Sequence, residues 1–395
     1  IKVEPPYGDA QRTQGPGFGC EQTDMEDPTI DLNNTNKNFV SINLKNEEGM
    51  KFMKKLLADA DIFVNNLRDK ALNKMGLDYE TLHKEFPTLI WAQMRGYGEY
   101  GPEKDSPGFD AVCWAARGGV ANVFREDGES PAIAPQAFGD YNVGHMLATG
   151  IVSALFNRTR TGKGEKVVTN LYAGAIWGGN IGICATQFGA PYPKSRKHVP
   201  NPFNNTYRTY DDKWIYICMP QYDKYYPMMM GLFGHEDQIE NPDTNNLTSL
   251  KASGKNVEVI DWLEKAFAKK TFDEWMAIFK ENEVPAQKCF RYTDVVKDEE
   301  AYDNDALRMV EYEAYGKRAL PMTPVRFGSY GDPPVVLSKP IGYHTAEFMH
   351  DYGYSDEEIA KIAEDGGVVV YDGPEIEDRI FVSKRQAAGE APCNW

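Results

Sequence analysis

The first half of the chain alternates between strand-like and helix-like spacing of its apolar residues. Short apolar runs, some with a period of two, predict strands at 1–4, 39–44, 61–64, 89–94 and 165–171. Apolar positions three and four residues apart predict helices at 47–60, 70–75 and 79–86. Strands that alternate with helices over short connections indicate an α/β fold with a parallel, Rossmann-like doubly wound sheet.

The strongest helical pattern follows Phe138-Gly139-Asp140. Apolar residues recur at helical spacing from Val143 to Phe156, and Thr161-Gly162 supplies a glycine C-cap. By position Asp140 is an N-cap, a residue whose carboxylate accepts hydrogen bonds from the amides of the first turn. The stretch 95–110 before this helix is rich in Gly, Pro and charge, which predicts a long functional loop.

Proline-rich linkers divide the chain at about 190–205 and 320–342. We predict a large α/β domain over 1–190, a smaller α+β domain over 206–315 that interrupts it, and a return to the large domain over 340–395. For the small domain we predict a strand at 214–219, a helix rich in Met and Tyr, and amphipathic helices at 257–268 and 272–282. A last helix is predicted to begin near Thr345.

Composition and charge narrow the classes of function. The net charge of −16 disfavours nucleic acid binding as a main role, because such binding needs a broad basic surface. The absence of an 18-residue apolar run excludes a membrane-spanning helix. The cysteines form no CxxC pair and the histidines are dispersed, so we expect no metal site. Scattered cysteines are typical of reduced thiols, which predicts a cytoplasmic location.

Asp140 admits two interpretations at this point. A helix cap is the simpler one. A catalytic role uses the same position, because the helix dipole favours the charged carboxylate and the flanking Gly139 and Gly144 leave it accessible. An ionised, accessible carboxylate is the species that attacks a thioester. Spacing alone leaves both interpretations open.

The segment Gly139-Asp140-Tyr141-Asn142-Val143-Gly144 resembles the GDxxxG segment of the family III CoA-transferases. Further segments resemble this family in the same order: Asn36-Lys37, Leu44-Lys45, Asn65-Asn66, Leu72 to Gly76, Gly96-Tyr97-Gly98, Gly101-Pro102, Pro107 to Asp110, Arg117-Gly118-Gly119, Thr161 to Gly164 and Pro340 to Thr345. The stretches 77–82 and 201–203 are most similar to members that act on 2-hydroxy acids such as phenyllactate and 2-hydroxyisocaproate.

The resemblance implies the family's fold, an interlocked homodimer and CoA transfer from an acyl-CoA to an aryl- or branched-chain 2-hydroxy acid. Asp140, with Gly139 beside it, would form first an aspartyl–acyl anhydride and then an aspartyl-CoA thioester. The CoA thioester is then a substrate, with no permanently bound cofactor and no metal. Family positions around the CoA adenine and phosphates correspond to Lys45, Asn66, Leu67, Lys74 and Met75. The resemblance further implies association with a 2-hydroxyacyl-CoA dehydratase, and a first strand-helix unit that is missing before Ile1.

Two alternatives remain at the sequence level. An α-methylacyl-CoA racemase shares the fold and the aspartate, but its chemistry needs two acid/base groups. Racemases carry Gly-His-Asp where this chain has Gly108-Phe109-Asp110, and phenylalanine cannot take a proton. The other alternative is a non-catalytic acyl-CoA-binding protein on the same fold, because a fold does not establish a function.

Overall fold

The computed structural model describes residues 1–328 and 331–390, and the chain divides into two compact units. The first contains residues 1–108, 136–171 and the described residues from 293 onward. The second contains residues 109–135 and 172–292. The second unit thus includes a segment before Asp140 that the linker pattern did not separate.

The strands of the described residues are short. They are β1 (Lys2–Glu4), β2 (Phe39–Ile42), β3 (Ile62–Asn65), β4 (Ile90–Arg95), β5 (Lys166–Asn170), β6 (Asn204–Arg208), β7 (Trp214–Cys218), β8 (Ala286–Lys288), β9 (Leu307–Tyr312), β10 (Gly316–Pro321), β11 (Val335–Val336), β12 (Val368–Val369) and β13 (Ile380–Phe381).

The helices lie between these strands. They are α1 (Pro28–Asn34), α2 (Glu47–Asp59), α3 (Asp69–Met75), α4 (Tyr79–Glu85), α5 (Val120–Val123), α6 (Phe138–Thr161), α7 (Leu171–Gly178), α8 (Asn180–Thr186), α9 (Tyr222–Phe233), α10 (Leu247–Ser253), α11 (Asn256–Phe267), α12 (Phe272–Glu281), α13 (Tyr292–Val295), α14 (Glu299–Asp303), α15 (Thr345–Asp351), α16 (Asp356–Glu364) and α17 (Lys384–Ala387). A π-helix spans Ala111–Arg117, and 3-10 turns span Ala10–Thr13, Gly15–Phe18 and Glu236–Gln238.

The sheets of the first unit confirm the predicted α/β class. β3, β4 and β5 are parallel and lie in the order β3-β4-β5. β1 pairs with β2 in parallel, and β12 pairs with β2 antiparallel. The single doubly wound sheet that we predicted is not formed, because no ladder joins β1 or β2 to β3 among the described residues. β9–β10 and β11–β13 are further antiparallel pairs.

One hydrophobic core packs against both of these sheets. Val40 and Ile42 of β2 and Trp91 of β4 contact the same cluster as Phe52 and Leu56 of α2. The amphipathic spacing of α2 places its apolar stripe there, and the Asn46 side chain caps the helix by accepting from the amides of residues 48 and 49. The predicted strands and helices of this half are thereby confirmed within a few residues.

The prediction of a last helix near Thr345 was wrong in one respect. α15 begins at Thr345, but α16 and α17 follow it. α16 starts with a capping box of Ser355 and Glu358 and buries Ile359 and Ile362, a helix-start pattern that the sequence does contain. The predicted 320–342 linker likewise includes the end of β10 and all of β11.

The second unit has its own core beneath a three-stranded antiparallel sheet of order β6-β7-β8. Tyr207, Ile215 and Ile217 point from the sheet into an aromatic cluster that includes Phe267 and Trp275. The predicted strand at 214–219 and helices at 257–268 and 272–282 are confirmed as β7, α11 and α12. Across both units, the described residues contain no helix that is long and apolar enough to span a bilayer.

Candidate active site

Polar residues gather where the parallel strands β3, β4 and β5 end. Asn65, Arg95 and Asn170 are the last residues of these strands, and Asn66 follows directly. The carboxyl ends of parallel strands lie at one edge of a sheet, which is the usual ligand position in open α/β sheets. This edge is therefore the candidate site.

Helix α6 runs antiparallel to these strands, so that its first turn lies toward their carboxyl ends. Near its last turn, the Arg158 guanidinium donates to Asp61 Oδ1 at 2.6 Å and to the Thr88 carbonyl at 3.1 Å, just before β3 and β4 begin. Near its start, the Cβ position of Gly144 lies 3.9 Å from the Cε of Met94, close to the end of β4.

Asp140 lies in the first turn of α6, and the N-cap prediction was wrong. The helix begins at Phe138, and the N-cap is Ala137, in a left-handed conformation with φ of +57°. Asp140 is therefore the third helical residue. The carboxylate stays within reach of the helix dipole, and the residue is exposed to solvent while Gly139 before it is buried. Position and exposure suit a reacting carboxylate.

Residues next to Asp140 fix the first turn of α6 to α1. The Tyr141 hydroxyl accepts a hydrogen bond from Asn33 Nδ2 at 3.2 Å. The Asn33 carbonyl in turn accepts from the Lys37 ammonium at 2.6 Å. Loss of solvent around this ammonium, followed by repulsion from Lys2, lowers the pKa of Lys37. The contribution of Asn33 was not apparent from the sequence, because no spacing links α1 to α6.

The residues that the resemblance assigns to CoA lie in the first unit, around β2 and β3. Asn66 and Leu67 follow β3, Lys74 and Met75 form the last turn of α3, and Lys45 follows β2. Lys45, Asn66, Leu67 and Lys74 are exposed, and Met75 is partly buried.

Two hydrogen-bonded contacts hold the β3–α3 connection in place. Gln93 Nε2 donates to the Leu67 carbonyl at 2.7 Å. Arg95 Nη1 donates to both carboxylate oxygens of Asp69, at 2.8 and 2.9 Å. Side chains from β4 therefore fix the connection that carries Asn66 and Leu67. The sequence pattern did not identify Gln93, Arg95 or Asp69 as contributors.

The loop predicted at 95–110 begins at the same edge. Gly98 has φ of +112°, a conformation that favours glycine, and its Cβ position lies 3.3 Å from Asn170 Nδ2, which is closer than an ordinary contact. Lys166 of β5 forms an ion pair with Glu99 in this loop. The bounds of this loop agree with the prediction: it follows β4 and ends at Asp110, which accepts from the Ala111 amide at 2.7 Å and caps the π-helix.

Metal-ligating side chains are not grouped in the part of the chain that the structure describes. Among residues 1–328 and 331–390, no three His, Cys, Asp or Glu side chains could hold one ion. Cys20, Cys113, Cys184, Cys218 and Cys289 are free thiols. Cys393 lies outside the described residues.

Comparison with known proteins identifies the class to which this fold and site belong. The model of CoA-transferase family III matches residues 1–345. The chain therefore belongs to this family, and the predicted enzyme class is confirmed.

Two relatives cover most of the chain. The cinnamoyl-CoA:phenyllactate CoA-transferase of Clostridium sporogenes is 39% identical over 373 residues, which are 94% of this chain and 90% of that protein. The (R)-2-hydroxy-4-methylpentanoate CoA-transferase of Clostridioides difficile is 38% identical over 371 residues, 94% of this chain and 92% of its own length. The solved structure of Rv3272 from Mycobacterium tuberculosis matches with a TM-score of 0.72 and 27% identity, over 88% of this chain and 90% of that one.

Proposed function

We propose that this enzyme transfers CoA from an acyl-CoA to a 2-hydroxy carboxylic acid and that Asp140 is its nucleophile. The observation that carries the proposal is the location of Asp140, an exposed residue in the first turn of α6. The helix dipole favours the ionised form, which is the reactive one. The position at the carboxyl edge of β3, β4 and β5 supports it further.

The proposed reaction keeps an activated acyl group at every step, as either a thioester or an anhydride. The Asp140 carboxylate attacks the donor acyl carbon, which forms a mixed anhydride and releases CoA thiolate. The thiolate attacks the aspartyl carbonyl, which releases the donor acid and leaves an aspartyl-CoA thioester. The acceptor carboxylate attacks this thioester to form a second anhydride and thiolate. The thiolate then attacks the acceptor carbonyl, which yields the new acyl-CoA and restores the Asp140 carboxylate.

Each anhydride and thioester step passes through a tetrahedral oxyanion. Backbone amides at a helix N-terminus are suitable donors to such an oxyanion. Gly139 directly precedes Asp140 in the first turn of α6. We assign the Gly139 amide to this role.

The CoA moiety is assigned to Lys45, Asn66, Leu67, Lys74 and Met75. The support is their location around β2 and β3 in the same unit as Asp140, with four of the five exposed. An ammonium such as that of Lys74 pairs with phosphate as a point charge, without the bidentate geometry of arginine.

The substrate class follows from the two relatives named for 2-hydroxy acids. One is named for phenyllactate and the other for 2-hydroxy-4-methylpentanoate, and both match over nearly the whole chain. An aryl- or branched-chain 2-hydroxy acid is therefore the proposed acceptor. Association with a 2-hydroxyacyl-CoA dehydratase and a cytoplasmic location stay predictions.

We propose that the enzyme forms the interlocked homodimer that the family resemblance implies, and large apolar side chains exposed in each unit support an interface. In α6, Val152 is 64% and Phe156 66% exposed. In the second unit, Trp177 is 71%, Ile181 80% and Phe188 87% exposed. Apolar surface of this extent is typical of protein interfaces. Sedimentation of an active monomer would contradict the dimer.

Isotope transfer tests the nucleophile directly. An acceptor acid labelled with heavy oxygen in its carboxylate must leave one heavy oxygen in Asp140 after turnover, because the second anhydride breaks at the acceptor carbonyl. Mass spectrometry of the peptide containing Asp140 should show this gain. The peptide containing Asp110 is the matched control and should remain unlabelled. CoA transfer without label in Asp140 would refute the covalent route, and an enzyme with neither transfer nor label would refute the proposed activity.

A further inference from the structure

The outer face of the small sheet in the second unit forms the floor of a groove of about 490 Å³. Asn204 and Thr206 of β6 and Tyr216 of β7 line this floor. Thr206 pairs with Tyr216 in the antiparallel ladder, while the alternate residues Tyr207 and Ile215 point into the core. The volume lies within the range of about 300–1,000 Å³ that is typical of small-molecule sites.

The walls of the groove carry an excess of positive charge in an otherwise acidic chain. Arg125, Lys194 and Arg196 line it, together with the carboxylate of Glu126. Arg196 forms an ion pair with Glu264 at 2.6 Å, but Lys197 pairs with the same carboxylate, so Arg196 is only partly neutralised. Arg125 and Lys194 outnumber the carboxylate of Glu126, so the groove carries a net positive charge of at least one. The groove is therefore suited to a monoanion.

Lys194 is the basic side chain most available to such a ligand. Its ammonium lies 5.0 Å from the centre of the Tyr192 ring and forms no ion pair among the described residues. Arg125, by comparison, donates to Asn122 Oδ1 at 3.2 Å. A lysine ammonium without a carboxylate partner can bind a ligand carboxylate without first breaking another ion pair.

Aromatic and amide groups flank this ammonium. Phe124 is 75% and Tyr216 47% exposed, so both rings offer apolar surface to a ligand. The side chain of Asn204 has no hydrogen-bond partner among residues 1–328 and 331–390 and offers both a donor and an acceptor. A hydroxyl group on the ligand would satisfy it.

We propose that this groove binds a monoanionic 2-hydroxy carboxylic acid with an aryl or branched apolar side chain. Lys194 binds the carboxylate, Asn204 the 2-hydroxyl, and Phe124 and Tyr216 the apolar side chain. The identity of the acid rests on the proposed function, whereas the charge and shape of the groove do not. A polyanion such as the nucleotide end of CoA fits less well, because Glu126 repels each additional negative charge.

The test measures binding separately from transfer. Phenyllactate is titrated calorimetrically into the full-length Asp140→Ala variant, in which the covalent steps are removed. Lys194→Gln added to that background should weaken binding about tenfold, the value of one charge-assisted contact. Lys224→Gln is the matched control: the Lys224 ammonium lies 5.1 Å from the Tyr225 ring centre, is also without an ion pair among the described residues, and does not line the groove. It should leave binding unchanged.

A second comparison tests whether the groove recognises the 2-hydroxyl of the ligand. Phenylpropionate, which lacks this hydroxyl, should bind more weakly than phenyllactate, and Asn204→Ala should abolish the difference. Equal binding by the Lys194→Gln and Lys224→Gln variants would overturn the proposal, as would preferential displacement of phenyllactate by adenosine 3′,5′-bisphosphate. If the unmodified enzyme transfers CoA but Lys194→Gln binds phenyllactate as tightly as Lys224→Gln, this inference alone fails. If the unmodified enzyme transfers no CoA, the proposed function fails, and the comparison of the two lysine variants still tests whether the groove binds an anion.

Discussion

The imidazole of His344 forms a hydrogen bond with the backbone of strand β2 at Phe39. Its Nδ1 accepts a hydrogen bond from the Phe39 amide at 2.9 Å, and the Phe39 carbonyl accepts from the His344 amide at 3.0 Å. Two residues along the strand, Thr345 Oγ1 accepts from the Ser41 amide at 2.9 Å. β12 is only two residues long, so side chains at the start of α15 complete the hydrogen bonds of β2. The Pro340 to Thr345 segment therefore has a structural role.

This contact makes the stability of the first unit depend on pH. An Nδ1 that accepts a hydrogen bond must be unprotonated. Burial is the largest effect on His344 and lowers its pKa; Lys339 also lowers it, while Glu347 and Asp378 oppose the shift. The contribution to stability is complete above the ordinary histidine pKa of about 6.5 and is lost as pH falls below it, because only the unfolded chain then takes up the proton.

The measurement is the urea midpoint at pH 7.5 and 5.5 for the unmodified enzyme and for His344→Gln. The unmodified enzyme should lose more stability on acidification than the variant, whose side chain does not titrate. Thr345→Val is the control, because it leaves the Ser41 amide without its acceptor at a cost of about 1–3 kcal/mol at both pH values. Equal pH dependence in the enzyme and the His344→Gln variant would contradict the assignment.

Replacement of Asp140 by asparagine should separate catalysis from stability. The carboxamide would keep the size of the side chain but cannot form an anhydride, so transfer should fall by about a thousandfold or more. Unfolding free energy should change by less than about 1 kcal/mol, because Asp140 is exposed and the replacement keeps the size of the side chain. Steady-state transfer and urea denaturation check both parts. An active Asp140→Asn enzyme would exclude the nucleophile, provided that deamidation is ruled out by mass spectrometry.

Much of this site could be predicted because local spacing determines α2, β3, β4 and the body of α6. The exact start of α6 could not, because Ala137 adopts a left-handed conformation that alanine rarely prefers. The sequence therefore indicated Asp140 as the N-cap, whereas the N-cap of α6 lies three residues earlier, at Ala137. Contacts such as Tyr141 with Asn33 join residues more than a hundred positions apart, and no local period encodes them.

The proposed CoA contacts predict a selective effect on KM. Lys74→Gln removes an exposed ammonium at the end of α3 and should raise KM for acyl-CoA about tenfold with little change in kcat, because the phosphate contact is equal in ground and transition states. Lys84→Gln is the matched control, since Lys84 lies in the last turn of the next helix, α4, and has no proposed role. An unchanged KM in the Lys74→Gln enzyme would contradict the assignment.

Gly118 and Gly119 are adjacent in the family-like segment but are constrained for different reasons. A Cβ on Gly118 would collide with Ala175 Cβ and the Trp114 carbonyl, where α7 packs against the π-helix. Gly119 instead has φ of +82° and open space around its Cβ position. Gly118→Ala should therefore lower the free energy of unfolding by about 1–3 kcal/mol through overpacking. Gly119→Asn should cost less than about 1 kcal/mol, because asparagine tolerates the left-handed conformation. Urea denaturation followed by tryptophan fluorescence compares the two variants. A Gly118→Ala variant as stable as Gly119→Asn would mean that the helices can separate at no cost, contrary to the close contact between Gly118 and Ala175.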